Sequence, residues 1–200
     1  MSKWILQPHH IDNARLYADR QDMIPHLGIE RGGTIAEIGV AHGDFSEFLM
    51  HQLMPEKFYA VDLFHMHEFP QHWGIPTEQL LKGMTHEQFY RHRFQARNIL
   101  VEAGWSHEAL PRLPDDAFDF IYVDAGHDYE AVRKDAEVAN RKLKANGVIV
   151  FNDYTCYDHL ANVPYGVVDA VNEMVCAGGW KVIGFALQDS MFCDIALRRA

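Results

Sequence analysis

From Thr34 onward the chain alternates short runs rich in β-branched and aromatic residues with segments whose apolar positions recur at helical spacing. The apolar runs predict strands over 34–39, 57–62, 99–103, 118–124 and 147–152. Strands alternating with helices in this way build a parallel sheet covered on both faces. Helices are predicted over 44–53, where Asp44-Phe-Ser-Glu47 reads as a capping box, and over 128–144, where Val132, Ala136, Ala139 and Leu143 form one stripe closed by Asn146-Gly147. A further helix is expected over 167–176, its Val167, Val171 and Met174 packing in the core. Two last runs, 180–187 and 191–197, are separated only by Gln188-Asp189-Ser190, which is too short for a parallel crossover. They are expected to pair as an antiparallel hairpin.

The expected fold is therefore α/β, a Rossmann-like, doubly wound sheet of seven strands, five of them parallel and two forming a C-terminal antiparallel hairpin. It occupies a single domain, 1–200. Two stretches stand outside the alternation: an N-terminal helical lead-in, 1–30, with Leu16, Met23, Ile24 and Leu27 apolar, and an irregular insertion, 64–85, rich in His, Pro and Met, followed by a helix over 85–97. The insertion leaves the second strand. It reads either as a surface loop or as a lid over the crevice at the carboxyl ends of the strands, where doubly wound sheets bind ligands.

Composition narrows the function. The 200 residues carry 28 Asp and Glu against 18 Lys and Arg, a formal charge of −10, with no basic run. A chain that binds nucleic acid or an anionic membrane must neutralise phosphates, so neither partner is expected. The 48% hydrophobic content supports a full core. No apolar run approaches the ~20 residues that cross a bilayer, and the first residues lead into no signal-type segment. Cys156, Cys176 and Cys193 are widely spaced, with no paired motif, and suit a reducing, cytoplasmic setting.

Three motifs could carry chemistry. Ile35-Ala-Glu37-Ile-Gly39-Val-Ala-His-Gly43-Asp-Phe-Ser46 is a strand entering a glycine turn and then a helix. Ala41 and Asp44 stand where a dinucleotide cradle needs glycines, which disfavours a nicotinamide oxidoreductase and suits a cationic, phosphate-free ligand. Asp62 ends the second strand and could accept both hydroxyls of a ribose, or serve only as a turn residue. Asp124 ends the fourth strand and Asn152-Asp153 the fifth, so three oxygen ligands meet at one sheet edge, a set that suits Mg²⁺. His127 lies three residues beyond Asp124, near enough to face whatever the metal holds. Taken singly, Asp124 reads equally as a helix cap and His127 as a loop histidine.

Of the 13 histidines, His65, His67 and His72, with Glu68, form a second cluster read as solvated or substrate-contacting. His42 is a further candidate for pocket lining, while His9, His10, His86 and His92 read as surface.

Glu37, Gly39 and Gly43, Asp62, and the Asp124 and Asn152-Asp153 strand ends resemble the class I S-adenosylmethionine-dependent methyltransferases. The stretch VDAGHDYEAVRKDAEVANRKLKANGVIVFNDY is similar to the metal-dependent small-molecule O-methyltransferases of the macrocin and mycinamicin type. The resemblance covers about Thr34 to Tyr154. It implies that Glu37, Gly39 and Gly43 form the methionine side of the cofactor site, that Asp62 holds the ribose, and that Asp124 borders both cofactor and metal. Asp124, Asn152 and Asp153 would hold Mg²⁺ or another divalent cation, and His127 matches the general base. Gly104-Trp105-Ser106 departs from relatives that have an acid here, so Trp105 would stack on the adenine. The implied reaction is methyl transfer from S-adenosylmethionine to a hydroxyl of a sugar or other small metabolite, by a protein for which a homodimer is an acceptable state. The alternative is a non-catalytic protein of the same fold that binds the cofactor or a metabolite.

Overall fold

The computed structural model describes residues 4–200. The first three residues of the expected lead-in, and the start of the stretch read for a signal segment, lie outside the described residues. Eight strands form the main sheet: β1 (Arg15–Tyr17), β2 (Thr34–Ile38), β3 (Lys57–Asp62), β4 (Ile99–Ala103), β5 (Phe118–Val123), β6 (Leu143–Phe151), β7 (Trp180–Ala186) and β8 (Asp194–Arg199). Their order is β1-β7-β8-β6-β5-β2-β3-β4. Pairing is parallel from β6 to β4, and β8 runs antiparallel to both β6 and β7.

The helices are α1 (Pro8–Ile11), α2 (Arg20–Met23), α3 (Asp44–Leu53), α4 (Thr77–Leu81), α5 (His86–Arg93), α6 (Ser106–Ala109), α7 (Tyr129–Lys142) and α8 (Val167–Cys176). Burial follows the period of two that a doubly covered sheet requires. Ile121 and Val123 of β5 and Ile149 and Phe151 of β6 point into one core with α7 and α8. Phe120, Tyr122, Val148 and Val150 point into the other, against α3, Tyr90 of α5 and the Met23–Ile24–Leu27 segment.

Several expected boundaries change. The sheet has eight strands where seven were expected, because the lead-in is not wholly helical: β1 pairs in parallel with β7, Leu16 opposite Phe185. The capping box at Asp44 does not form. Gly43 is the N-cap of α3, with φ +92°, a left-handed conformation that glycine adopts without strain, and Asp44 becomes the first helical residue. Asp44 and Glu47 instead pair with Arg93 at 2.8 and 2.7 Å. α7 ends at Lys142, and Asn146-Gly147 lies inside β6 rather than closing the helix. β8 starts at Asp194, three residues later than expected, and a 3₁₀ turn over Asp189–Met191 fills the connection. The helix expected over 85–97 is the shorter α5, capped by a Thr85–Gln88 box.

The insertion after β3 folds as a 3₁₀ turn, a hairpin of Gln71–His72 with Ile75–Pro76, and α4, held on a small core of Met66, Leu81 and Phe89. A second hairpin, Tyr157–Asp158 with Val163–Pro164, follows β6. Cys156 is exposed, Cys176 half-buried and Cys193 buried, all as free thiols. No helix among the described residues is long and apolar enough to cross a membrane.

Candidate active site

From β2 the chain moves outward through β3 and β4, then returns to the other side of β2 as β5. The carboxyl ends of β2 and β5 therefore face a crevice at the point where strand order reverses. Two cavities open there, of about 800 and about 930 Å³, and they meet at Gly39, Ala41, Trp73, Asp124 and Ala125. Gly39 sets this junction. Its φ is +85°, and a Cβ at this position would overlap the carbonyl of Asp124, so only glycine lets the two strand ends approach so closely.

Gly39, Asp62 and Trp105 line the first cavity together. The carboxylate of Asp62 accepts the Val40 N–H at 2.8 Å and the Phe64 N–H at 2.7 Å, so it ties the loops after β2 and β3 together at the cavity wall. Asp62 thus has the turn role and also lines the first cavity. Trp105 is exposed over the cavity as N-cap of α6, and the next residue, Ser106, donates to Asp135. Burial raises the Asp135 carboxyl to about 6, against the lowering effect of the Ser106 hydrogen bond. His65 and His72 of the insertion also reach this wall.

Two residues expected at the cofactor, Glu37 and Gly43, do not line the first cavity. Gly43 lines neither cavity; it packs beneath the Phe94 ring. Glu37 is fully buried behind the loop and borders the second cavity instead. The Ser46 hydroxyl donates to it at 2.5 Å and Tyr90 donates to Ser46 at 2.9 Å, while burial lifts its carboxyl well above the usual range.

The second cavity gathers the acids at the ends of β5 and β6 with a histidine and an arginine. His127 Nε2 lies 3.3 Å from Asp153 Oδ2 and 3.7 Å from Asp124 Oδ1. Its ring stacks on Tyr165 with centroids 4.5 Å apart. Burial opposes the charged imidazole, but the two carboxylates outweigh it and raise His127 above its ordinary value. Asp153 is raised to about 6 by burial and by the like charge of Asp124. Behind them Asp194, an acid in the first position of a buried strand, accepts from Tyr122 at 2.7 Å and from Asn152 and Gln188 at 2.9 Å each. Burial holds Asp194 at about 6.

Magnesium is the expected occupant of Asp124, Asn152 and Asp153. Asn152 turns its amide onto Asp194, and Asp124 faces the Arg20 guanidinium at 3.5 Å. His127 approaches both remaining acid oxygens. Among the described residues no three His, Cys, Asp or Glu side chains are grouped to hold a metal ion. Asp124, Asn152 and Asp153 do converge as expected, but the Asn152 amide nitrogen is committed to Asp194 and the two carboxylates face Arg20 and His127, so a divalent cation there would meet a fixed guanidinium charge and the arrangement does not fit it.

Arg20, Tyr165 and Asp194 escaped the sequence reading. For Asp194 a signal existed, a lone acid in the apolar run from Met191 to Leu197. Arg20 and Tyr165 had none. His86, read as surface, is buried: its Nε2 donates to the Ala41 carbonyl and its Nδ1 lies 4.0 Å from Asp62.

A family model described as "Methyltransferase domain" matches residues 36–154. No curated protein matches by sequence. Among solved structures, a SAM-dependent methyltransferase from Aquifex aeolicus aligns with a TM-score of 0.59 at 16% identity, over 95% of this chain and 90% of that one. The N-methyltransferase NodS from Bradyrhizobium japonicum WM9, in complex with S-adenosyl-L-homocysteine, aligns at 0.60 and 15% identity, over 90% and 85%. An rRNA methylase from Streptococcus thermophilus aligns at 0.58 and 14%, over 89% and 95%. At these identities the likeness is one of fold, and the acceptors named differ from one structure to the next.

Proposed function

This chain belongs to the methyltransferase-domain family, and from that premise we propose that it transfers the methyl group of S-adenosylmethionine to a hydroxyl of a sugar or other small metabolite. The observation that carries the proposal is the meeting of the two cavities at Gly39 and Asp124, with the His127–Asp153 pair on one side only. A donor in the first cavity and an acceptor in the second would touch at that junction. Geometry of this kind supplies much of the rate of a methyl transfer, because the reacting atoms are held in line.

S-adenosylmethionine, when bound, supplies an electrophilic methyl group on a sulfonium. Asp62 is proposed to hold the ribose and Trp105 to cover the adenine. On the acceptor side the hydroxyl proton passes to the Asp153–His127 pair, with His127 as the stronger base. The acceptor oxygen bonds to the methyl carbon while the electron pair of the carbon–sulfur bond goes to sulfur. Two titrating groups this close act as one proton acceptor. No step is assigned to magnesium.

The aspartates lining the second cavity, Asp44, Asp124, Asp153, Asp158 and Asp189, disfavour phosphorylated acceptors and nucleic acid. A cytoplasmic small-molecule enzyme is the setting that the charge and the free thiols support. The test pairs calorimetry of S-adenosylhomocysteine with transfer of labelled methyl to a panel of polyols, phenols and amines. Binding together with methylation of a hydroxyl supports the proposal. Transfer only to amines, or binding with no transfer to any acceptor, rejects it.

A further inference from the structure

Losing a proton makes an acceptor oxygen more negative, and in the second cavity that charge would develop beside the carboxylates of Asp124 and Asp153. A positive partner is needed there. Arg20 is the one Lys or Arg among the described residues lining this cavity. It comes from the N-terminal segment, as the first residue of α2, and its placement is held from several sides. Its Nη1 donates to the Tyr122 hydroxyl at 2.8 Å and lies 3.5 Å from Asp124 Oδ2. The guanidinium carbon sits 4.1 Å above the Phe45 ring centroid. Its backbone N–H donates to the Gln188 side-chain Oε1 at 3.3 Å, and the Gln188 side-chain Nε2 in turn donates to Asp194.

With these contacts made, Arg20 still lines the cavity with a side chain 29% exposed. A guanidinium has five N–H donors, and the bonds to Tyr122 and Asp124 use Nη1 alone. A divalent cation on Asp124 would lie against this fixed positive charge.

We infer that Arg20 is the cation of the acceptor site, its guanidinium facing the acceptor oxygen in the place a divalent metal would take. The inference rests on the methyl-transfer reading of the same cavity. It makes Arg20 a catalytic residue and makes the reaction independent of metal.

The first measurement uses the metal alone. Calorimetric and thermal-shift titrations of the wild-type chain with Mg²⁺ and Mn²⁺ are expected to show no saturable uptake in the millimolar range. Uptake that is abolished in Asp153→Asn would overturn the inference. The second uses methyl glucoside and catechol as acceptors. Transfer to whichever of them the wild type methylates is expected to survive EDTA, and Arg20→Ala is expected to lower kcat ~10²-fold with S-adenosylhomocysteine affinity unchanged. Arg20→Lys should retain more activity than Arg20→Ala, and added guanidinium should restore part of the Arg20→Ala loss, a rescue that a packing role of the side-chain stem would not produce. Loss of transfer in EDTA, or a wild-type kcat in Arg20→Ala, would also sink it. Should neither compound be methylated while S-adenosylhomocysteine binds, the methyl-transfer reading is what fails for these acceptors, and the Mn²⁺ titration still decides the metal question.

Discussion

His127 Nε2 stands 3.3 Å from Asp153 Oδ2, although one residue follows β5 and the other follows β6. Asp153 reaches this place through a left-handed backbone, φ +52°, that turns the chain back immediately after the strand. Aspartate tolerates that region better than most side chains do. Both residues line the second cavity, with His127 Nε2 itself buried against the two carboxylates and Tyr165 stacked on one face of the imidazole.

A pH profile should report this pair directly. The base must be unprotonated to act, so kcat/KM rises with pH, and the carboxylates of Asp124 and Asp153 push the acid limb above the ordinary histidine value of 6.5. Asp153→Asn removes one of those charges. The limb should therefore move to lower pH, and a limb that stays in place would mean that His127 does not govern it.

His127→Ala should lower turnover about 10²- to 10⁴-fold, the usual range for a general acid–base group. The residue lines only the second cavity, so the affinity for S-adenosylhomocysteine should stay at the wild-type level. Single-turnover transfer and calorimetry on the same preparation separate the two effects. An unchanged turnover would make His127 an ordinary loop residue.

The central strands were legible because a sheet covered on both faces writes its period of two into long apolar runs, as in Phe118–Val123. The convergence of Asp124, His127 and Asp153 was legible for a related reason: residues just past neighbouring parallel strands end at one edge. Elements built by distant contacts left no local trace. β1 is three residues long and exists through pairing with Gly184 to Ala186. Arg20 enters the site only because β1 places α2 against it. His86 is buried because the insertion folds back onto the Ala41 carbonyl, a contact no spacing announces. At α3 the capping signal of Asp44 lost to a backbone need: the φ of +92° at the N-cap falls to Gly43, where a side chain would collide with Phe94.

Asp62→Ala should weaken S-adenosylhomocysteine binding by roughly 10- to 100-fold, the scale of a charge-assisted hydrogen bond. The Val40 and Phe64 N–H groups also lose their acceptor, so the variant should melt at a lower temperature. Calorimetry well below that temperature isolates the ligand effect. Full affinity in a folded variant would place the ribose away from Asp62.

Asp135 offers a test of the first cavity through stability. Its carboxyl is buried, accepts from Ser106 at the wall of the first cavity, and is raised from 3.8 to about 6. The folded state therefore holds this proton more tightly than the unfolded chain does. The resulting stabilisation is fully present below about pH 4 and is lost as pH rises through about 6. A shift of this size corresponds to at most about 3 kcal/mol. Asp135→Asn keeps an oxygen for the Ser106 hydroxyl but cannot ionise. Relative to the wild type, the variant should gain about 1–3 kcal/mol between pH 4 and pH 7. Urea unfolding of both proteins at several pH values measures that difference. A flat difference across the range would mean that Asp135 ionises as freely in the folded chain as in the unfolded one, and that the wall of the first cavity is wet at this point.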